Sequence, residues 1–226
     1  MQKLLSIIIP TYNSAKTLQR TINSIIQLKT ISEVIIIDGG SSDETLSIIE
    51  KNKDIIDLVV SKKDNGIYDA MNKGIELSNG KFILFLGSDD QLLISPAILE
   101  KLLIDTNVNY YGKALFSNGV IYGTNYTDRD LSRKNICHQS IFYSRENLKK
   151  TKFNLKYTYM ADYELNLRKW KKERFIYIDH IISEYYIHGA SSTNIDYVFK
   201  KDSIMIFYKA FGIKGLFYKL LNFLEK

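Results

Sequence analysis

The chain has 226 residues, 45% of them hydrophobic and 25% charged, which is enough for one large domain with a buried core. One cysteine, Cys137, excludes a disulfide framework, three scattered histidines offer no zinc cluster, and no uninterrupted apolar run is long enough to span a bilayer. A net charge of +6 favours an anionic partner, whether nucleotide, phospholipid surface or nucleic acid, without choosing among them. Met1 to Leu5 is too short for a signal peptide before the first strand begins, so a cytoplasmic protein is expected.

Leu4 to Ile9 reads as a strand closed by Pro10, and Leu18, Ile22, Ile25 and Ile26 then recur at helical spacing after Asn13 and Ser14, two good N-cap residues. Val34 to Ile37 is a β-branched run of the kind found in parallel strands buried on both faces, followed by a helix carrying Leu46, Ile48 and Ile49. A third strand precedes Asp64, a third helix covers YDAMNKGIELS, and FILFL makes a fourth strand before a helix that starts at Ser95-Pro96. The result is a β-α-β-α-β-α-β run, an α/β domain with a mostly parallel central sheet and flanking helices. From Asn107 the chain turns rich in Tyr, Gly, Asn and Thr, predicting a smaller, more open sheet with a hairpin near Asn118-Gly119. A helix with Tyr163, Leu165, Leu167 and Trp170, a strand in FIYIDHIISEYYIH and a helical tail from about Ile204 complete the chain.

Three of the first strands run straight into acidic or turn residues: VIIID-GGSSD, DLVVSKKDNG and FILFLGSDD. Ligands of open α/β sheets sit beyond the carboxyl ends of the strands, so Asp38, Asp43, Asp64, Asp89 and Asp90 are expected to converge there. No pair of glycines is spaced as G-x-G, which removes the glycine-rich phosphate cradle. A diphosphate would then need a cation, and Asp89 with Asp90 supplies hard oxygen ligands for Mg²⁺ or Mn²⁺. The next helix has its own start at Ser95-Pro96, which weakens a capping role for that pair. Asp38 could accept hydrogen bonds from a pyrimidine N–H or ribose hydroxyls, and Asp43 suits an N-cap equally well.

SIIIPTYNSAKTLQRTINSI, VIIIDGGSSDET, DNGIYDAMNKGIELSNGKFILFLGSDD and MADYELNLR, in this order, resemble the inverting family 2 glycosyltransferases, over roughly residues 4 to 190. The resemblance implies a GT-A fold with a smaller acceptor-side sheet. It divides the chain into a transferase domain at about 1–200, with its nucleotide-binding half at about 1–104 and its acceptor half at about 105–200, and a tail at 201–226. It implies a nucleotide-sugar site, UDP-sugar by expectation, made by Pro10, Tyr12, Asp38 and Asp64 with Asn72, Lys73 and Ser88. It also implies Asp89 as the metal-binding member of a D-x-D signature, with Asp90 and the later His188 beside it. Asp162 is the implied general base, although from spacing alone it reads as a helix N-cap. Two departures stand out: Gly87 where the family has an acidic residue, and Ala161 where it has Glu before the base.

The implied reaction moves one sugar to a saccharide or lipid-linked saccharide acceptor for surface polysaccharide, with no nucleic-acid partner. CHQSIFYSR, with His138 and Gln139, marks a stretch where an acceptor could lie. His138 and His180 read as structural. Leu216, Phe217, Leu220, Leu221 and Leu224 line one helical face of the tail, which either lies peripherally on an anionic membrane at the inner face of the cell or packs on protein. Two rival functions remain: a sugar-phosphate nucleotidyltransferase, opposed by PTYN where a glycine-rich basic loop would be needed, and a catalytically silent nucleotide-binding module, motivated by Gly87 and Ala161.

Overall fold

The computed structural model describes residues 2–187 and 195–224. Strands β1 (Leu5–Thr11), β2 (Ser32–Asp38), β3 (Leu58–Ser61) and β4 (Phe82–Phe85) alternate with helices α1 (Leu18–Ile25), α2 (Thr45–Lys51) and α3 (Ile67–Leu77). All four strands pair in parallel, in the order β3-β2-β1-β4. Ile7, Ile9, Ile36 and Leu84 enter one hydrophobic core and Ile8, Ile35, Ile37 and Phe85 the other, so the continuous apolar runs reflect burial on both sheet faces. Pro10 fits inside β1 because β4 stops pairing at Ile8↔Phe85, so the missing N–H falls beyond that ladder.

The second half adds β5 (Gln91–Leu92), α4 (Pro96–Leu102), β6 (Asn109–Phe116), β7 (Ile121–Tyr122), α5 (Asp128–Arg133), β8 (Ile141–Ser144), α6 (Arg145–Lys149), α7 (Ala161–Trp170) and β9 (Phe175–Tyr185). The expected hairpin is β6–β7, closed by Phe116 N–H to Val120 O at 2.8 Å with Gly119 at φ 85°. The expected smaller sheet is present and is continuous with the first. β8 pairs antiparallel with both β4 and β6, giving a nine-stranded path β3-β2-β1-β4-β8-β6-β9-β5 with β7 on β6. That joining strand is only four residues, all buried, in a stretch whose sequence shows no alternation.

Helix α8 (Tyr197–Phe211) starts seven residues before the expected Ile204 and crosses the proposed 200/201 boundary. Asp196 caps it, accepting from Phe199 N–H at 2.9 Å. Gly212, at φ 64°, ends it, and α9 (Ile213–Leu224) follows. No described helix is long and apolar enough to cross a membrane.

Candidate active site

The strand order reverses at β1, with β2 on one side and β4 on the other, so the loops after β1 and β4 flank the crevice where α/β sheets hold ligands. Side chains tie these loops together. Ser14 Oγ and Ser88 Oγ are 2.7 Å apart, and Ser14 N–H donates to Thr45 Oγ1 at 2.7 Å. Asp43 takes Ala15 N–H and Thr45 N–H at 3.1 and 3.0 Å, so it orders the turn before α2, but the N-cap position is Glu44 and not, as the capping reading expects, Asp43. Asn13 sits at φ 49° in the turn, and α1 begins only at Leu18, so Asn13 and Ser14 shape the loop instead of capping that helix.

Asp38 is fully buried, and its carboxylate accepts from Thr11 and Ser61 hydroxyls at 3.2 and 2.7 Å and from Gly40 and Ser41 N–H at 3.1 and 3.0 Å, with the Ser41 hydroxyl in addition. Burial alone would raise its pKa, but the donors from Ser41, Ser61 and Thr11 outweigh it and hold the carboxyl below its usual range. Asp38 thus ties the ends of three strands together, and the expected pyrimidine or ribose contact has no open acceptor there. The accessible acid of this rim is Asp64. It accepts Gly66 N–H at 2.9 Å and lies over Gly39, where a Cβ would come within 2.9 Å of Asp64 Oδ2. Gly39 N–H in turn donates to Thr11 O at 2.9 Å, next to Tyr12, whose ring is 66% exposed. Asn72 and Lys73 do not join this group. The Asn72 amide clamps the Phe153 backbone through bonds of 3.0 Å in both directions, and Lys73 pairs with Asp69 at 3.1 Å on its own helix.

Of the adjacent acids after β4, Asp90 is buried and held by the chain. It accepts Gly87 N–H at 3.2 Å, Gln139 Nε2–H at 2.8 Å and Tyr186 N–H at 2.9 Å, which leaves it little capacity as a metal ligand and corrects that expectation. Burial and then the Asp89 charge push its carboxyl up to about 6. Asp89 stays part-exposed, and its only carboxylate hydrogen bond among the described residues comes from its own N–H. Burial raises its pKa, opposed by Arg20 and His138. Gly87 has a steric reason: a Cβ there would lie 2.4 Å from Asp90 Oδ2 and 2.9 Å from Asp89 Oδ1. Among the described residues no three His, Cys, Asp or Glu side chains group to hold a metal, and His188 lies outside the described residues.

Asp162 is the second residue of α7, not its N-cap, and is 8% exposed. Its Oδ1 accepts the Tyr68 hydroxyl at 3.0 Å and Tyr163 N–H at 2.8 Å, while Oδ2 meets Asn135 Nδ2 at 2.8 Å and His138 Nδ1 at 3.1 Å. Burial, and then the Asp162 charge, push the Tyr68 hydroxyl well above the usual phenol range, so it remains a donor. Oδ1 is therefore anchored in the core, and Oδ2 faces the two partly exposed partners. His138, read from sequence as structural, touches Asp162 at 3.1 Å, and its charge opposes the burial that raises the pKa of Asp89 and Asp90. Arg20 was also missed. Its guanidinium donates to Asp89 O at 2.6 Å and lies 5.6 Å from the Tyr186 ring centroid. The signals were slight: His138 follows the lone cysteine, and Tyr68 lies inside the DNGIYDAMNKG motif.

A parallel β-α-β sheet whose switch-point crevice is flanked by strand-end aspartates, extended by a smaller mixed sheet in which β6 and β9 run parallel and β5, β7 and β8 pair antiparallel, defines a GT-A-like fold. Its nine-stranded arrangement superposes on Staphylococcus aureus TarS in complex with UDP-GlcNAc with a TM-score of 0.78 at 21% identity, over 100% of this chain and 73% of that one. A mannosyltransferase from Pyrobaculum calidifontis, in complex with GDP-Man and Mn²⁺, gives a TM-score of 0.65 at 15% identity, over 100% and 75% of the two chains. The description of Glycosyl transferase family 2 matches residues 6–180. A PGL/p-HBAD biosynthesis glycosyltransferase of Mycobacterium tuberculosis is 34% identical over 214 residues, 88% of this chain and 83% of the relative. The chain belongs to glycosyltransferase family 2, and neither rival function is favoured.

Proposed function

We propose that this chain transfers one sugar from a UDP-sugar to a saccharide or lipid-linked saccharide acceptor, with inversion at the anomeric carbon, in the assembly of a surface glycan. One observation carries the reading: Asp162, on an acceptor-half helix, meets His138 Nδ1 at 3.1 Å, and the charge of the same histidine acts on Asp89, after a donor-half strand, against the burial that raises its pKa. The UDP-GlcNAc complex of TarS and the PGL/p-HBAD role of the mycobacterial relative support the donor class and the glycan setting.

Tyr12 offers an exposed aromatic face to the base, and Asp64 an accessible carboxylate to an N–H or hydroxyl of the nucleoside. Asp89 fits a divalent cation, because its carboxylate is part-exposed and not claimed by another residue's donor, and such ions are commonly held by one or two carboxylates with substrate phosphates and water. When bound, Mg²⁺ or Mn²⁺ would neutralise charge on the departing diphosphate. The Mn²⁺ in the Pyrobaculum neighbour supports a cation of this kind.

Asp162 accepts the acceptor hydroxyl's proton at Oδ2. An ordinary Asp, with a reference pKa of about 3.9, is too weak to deprotonate a sugar hydroxyl beforehand, so proton transfer accompanies attack on the anomeric carbon. An ionised carboxylate only accepts hydrogen bonds, so His138 Nδ1 carries a proton toward Oδ2 and fixes its direction. The test is a panel of nucleotide sugars with and without saccharide acceptors, following nucleoside diphosphate release and the anomeric configuration of the product by NMR. UDP release with inverted product is expected. Retention, or no turnover with any UDP-sugar, overturns the proposal.

A further inference from the structure

Exposed apolar side chains gather at one end of the chain. On α9, Ile213, Leu216, Phe217, Leu220, Phe223 and Leu224 are 40 to 80% exposed. On α8, Ile204, Met205 and Tyr208 are 47 to 61% exposed. An ordinary surface helix turns its apolar stripe inward. Helix α9 is docked the other way round, by its small and polar positions. Gly215 lies so close to Phe207 O that any Cβ would collide with it, Arg129 donates to Asn222 Oδ1 at 2.6 Å and to Tyr218 O at 3.3 Å, and Asn222 Nδ2 donates to Ser132 O at 2.6 Å. These bonds fix the orientation of the helix and leave the leucines and phenylalanines in water.

Charge selects what covers this face. Residues 197–224 carry Lys200, Lys201, Lys209, Lys214 and Lys219 against the single acid Asp202. A second copy docked face to face would bring like charge onto like charge, whereas an anionic surface complements it. Beside α8 runs a groove of about 660 Å³ lined by Arg168, Lys172, Met205, Ile206 and Lys209 among others. Arg168 is paired with Glu164, but Lys172 and Lys209 form no ion pair among the described residues. Apolar side chains next to unpaired lysines suit a phospholipid, whose acyl region and phosphate ask for both.

We propose that α8 and α9 form a lipid-docking surface that holds the protein on an anionic bilayer, with the α9 apolar face entering the headgroup boundary and phospholipid phosphates meeting Lys172 and Lys209. This surface is separate from the transfer site, and its test does not depend on activity. The full chain is floated with phosphatidylcholine vesicles, with or without added phosphatidylglycerol, whose anionic headgroups attract basic side chains near the surface. Wild type should float with the anionic vesicles and at least about tenfold less with the neutral ones, and added salt should release it. The triple variant F217S/L220S/F223S should lose at least about tenfold of that partitioning with an unchanged thermal melt, because the three side chains are already exposed. Should it misfold, K172E/K209E is the second variant, with the same loss expected. Absence of wild-type flotation, flotation retained by a folded variant, or a wild-type dimer that the triple variant converts to monomer without lipid binding would each overturn the proposal.

Discussion

The proposed donor-side rim and the proposed acceptor-side base are both built from carboxylates, but they are held by different kinds of partner. Asp38 and Asp43 take their donors from the ends of neighbouring strands and the turns beside them, several of them backbone N–H groups. Asp162 is held chiefly by side chains from distant parts of the chain: Tyr68 of α3, Asn135 after α5 and His138 before β8. A carboxylate filled by strand-end donors orders a loop. One held on its outer oxygen by partly exposed side chains can exchange a partner for a substrate hydroxyl. Asp89 differs from both in having no donor from another residue, which suits a group completed by a bound ligand.

That contrast breaks most sharply at Asp89. Asp89→Asn should lose Mn²⁺-dependent UDP binding in calorimetry and lower kcat/KM by about 10³, in line with the several kcal/mol of charge stabilisation a cation gives a leaving group. Undiminished, metal-stimulated binding would remove Asp89 from the site. Asp162→Asn should behave differently: turnover falls by about 10² to 10⁴ while UDP affinity stays near wild type, because the base acts on the acceptor. Near wild-type transfer would overturn the assignment.

His138 sharpens the comparison, since positioning and catalysis separate there. His138→Ala should lower kcat by about tenfold with donor KM unchanged, and His138→Asn, which keeps a donor for Oδ2, should recover much of it. If His138→Asn instead falls as far as Asp162→Asn, the histidine is the base and Asp162 its orienting partner.

Two stability measurements test the donor-side rim itself. Gly87→Ala must displace the Asp90 carboxylate and should cost about 1–3 kcal/mol, a drop of a few degrees in Tm. Asp38→Asn should cost about 1–3 kcal/mol at pH 7 in urea melts. Because Asp38's folded pKa is lowered, its stabilisation is present above the unfolded value of about 3.9 and is lost as pH falls through the folded one. The gap between wild type and Asp38→Asn should therefore narrow below about pH 4; a gap independent of pH would show that Asp38 acts through shape and not through charge.

Local pattern carried much of this protein. The β-branched runs, the turn acids after them and the periodic helices of the first half pointed to four parallel strands and a crevice, because β1, β2 and β4 are buried on both faces and written in consecutive residues, while β3 is a largely exposed edge strand marked by the turn acids after it. The family motifs added the transferase activity. What only the tertiary structure decided is how each polar group is occupied. Asp38, Asp89, Asp90 and Asp162 are the same side chain in sequence, and they separate into scaffold, candidate ligand and candidate base only when donors from positions as far apart as Tyr68, Gln139 and Tyr186 arrive. Strand β8 escaped notice because four residues between a histidine turn and a helix show no period, and its place is set by β4 and β6 on either side. The outward face of α9 was equally hidden: amphipathic spacing gives the stripe, but Gly215, Arg129 and Asn222 decide which way it points.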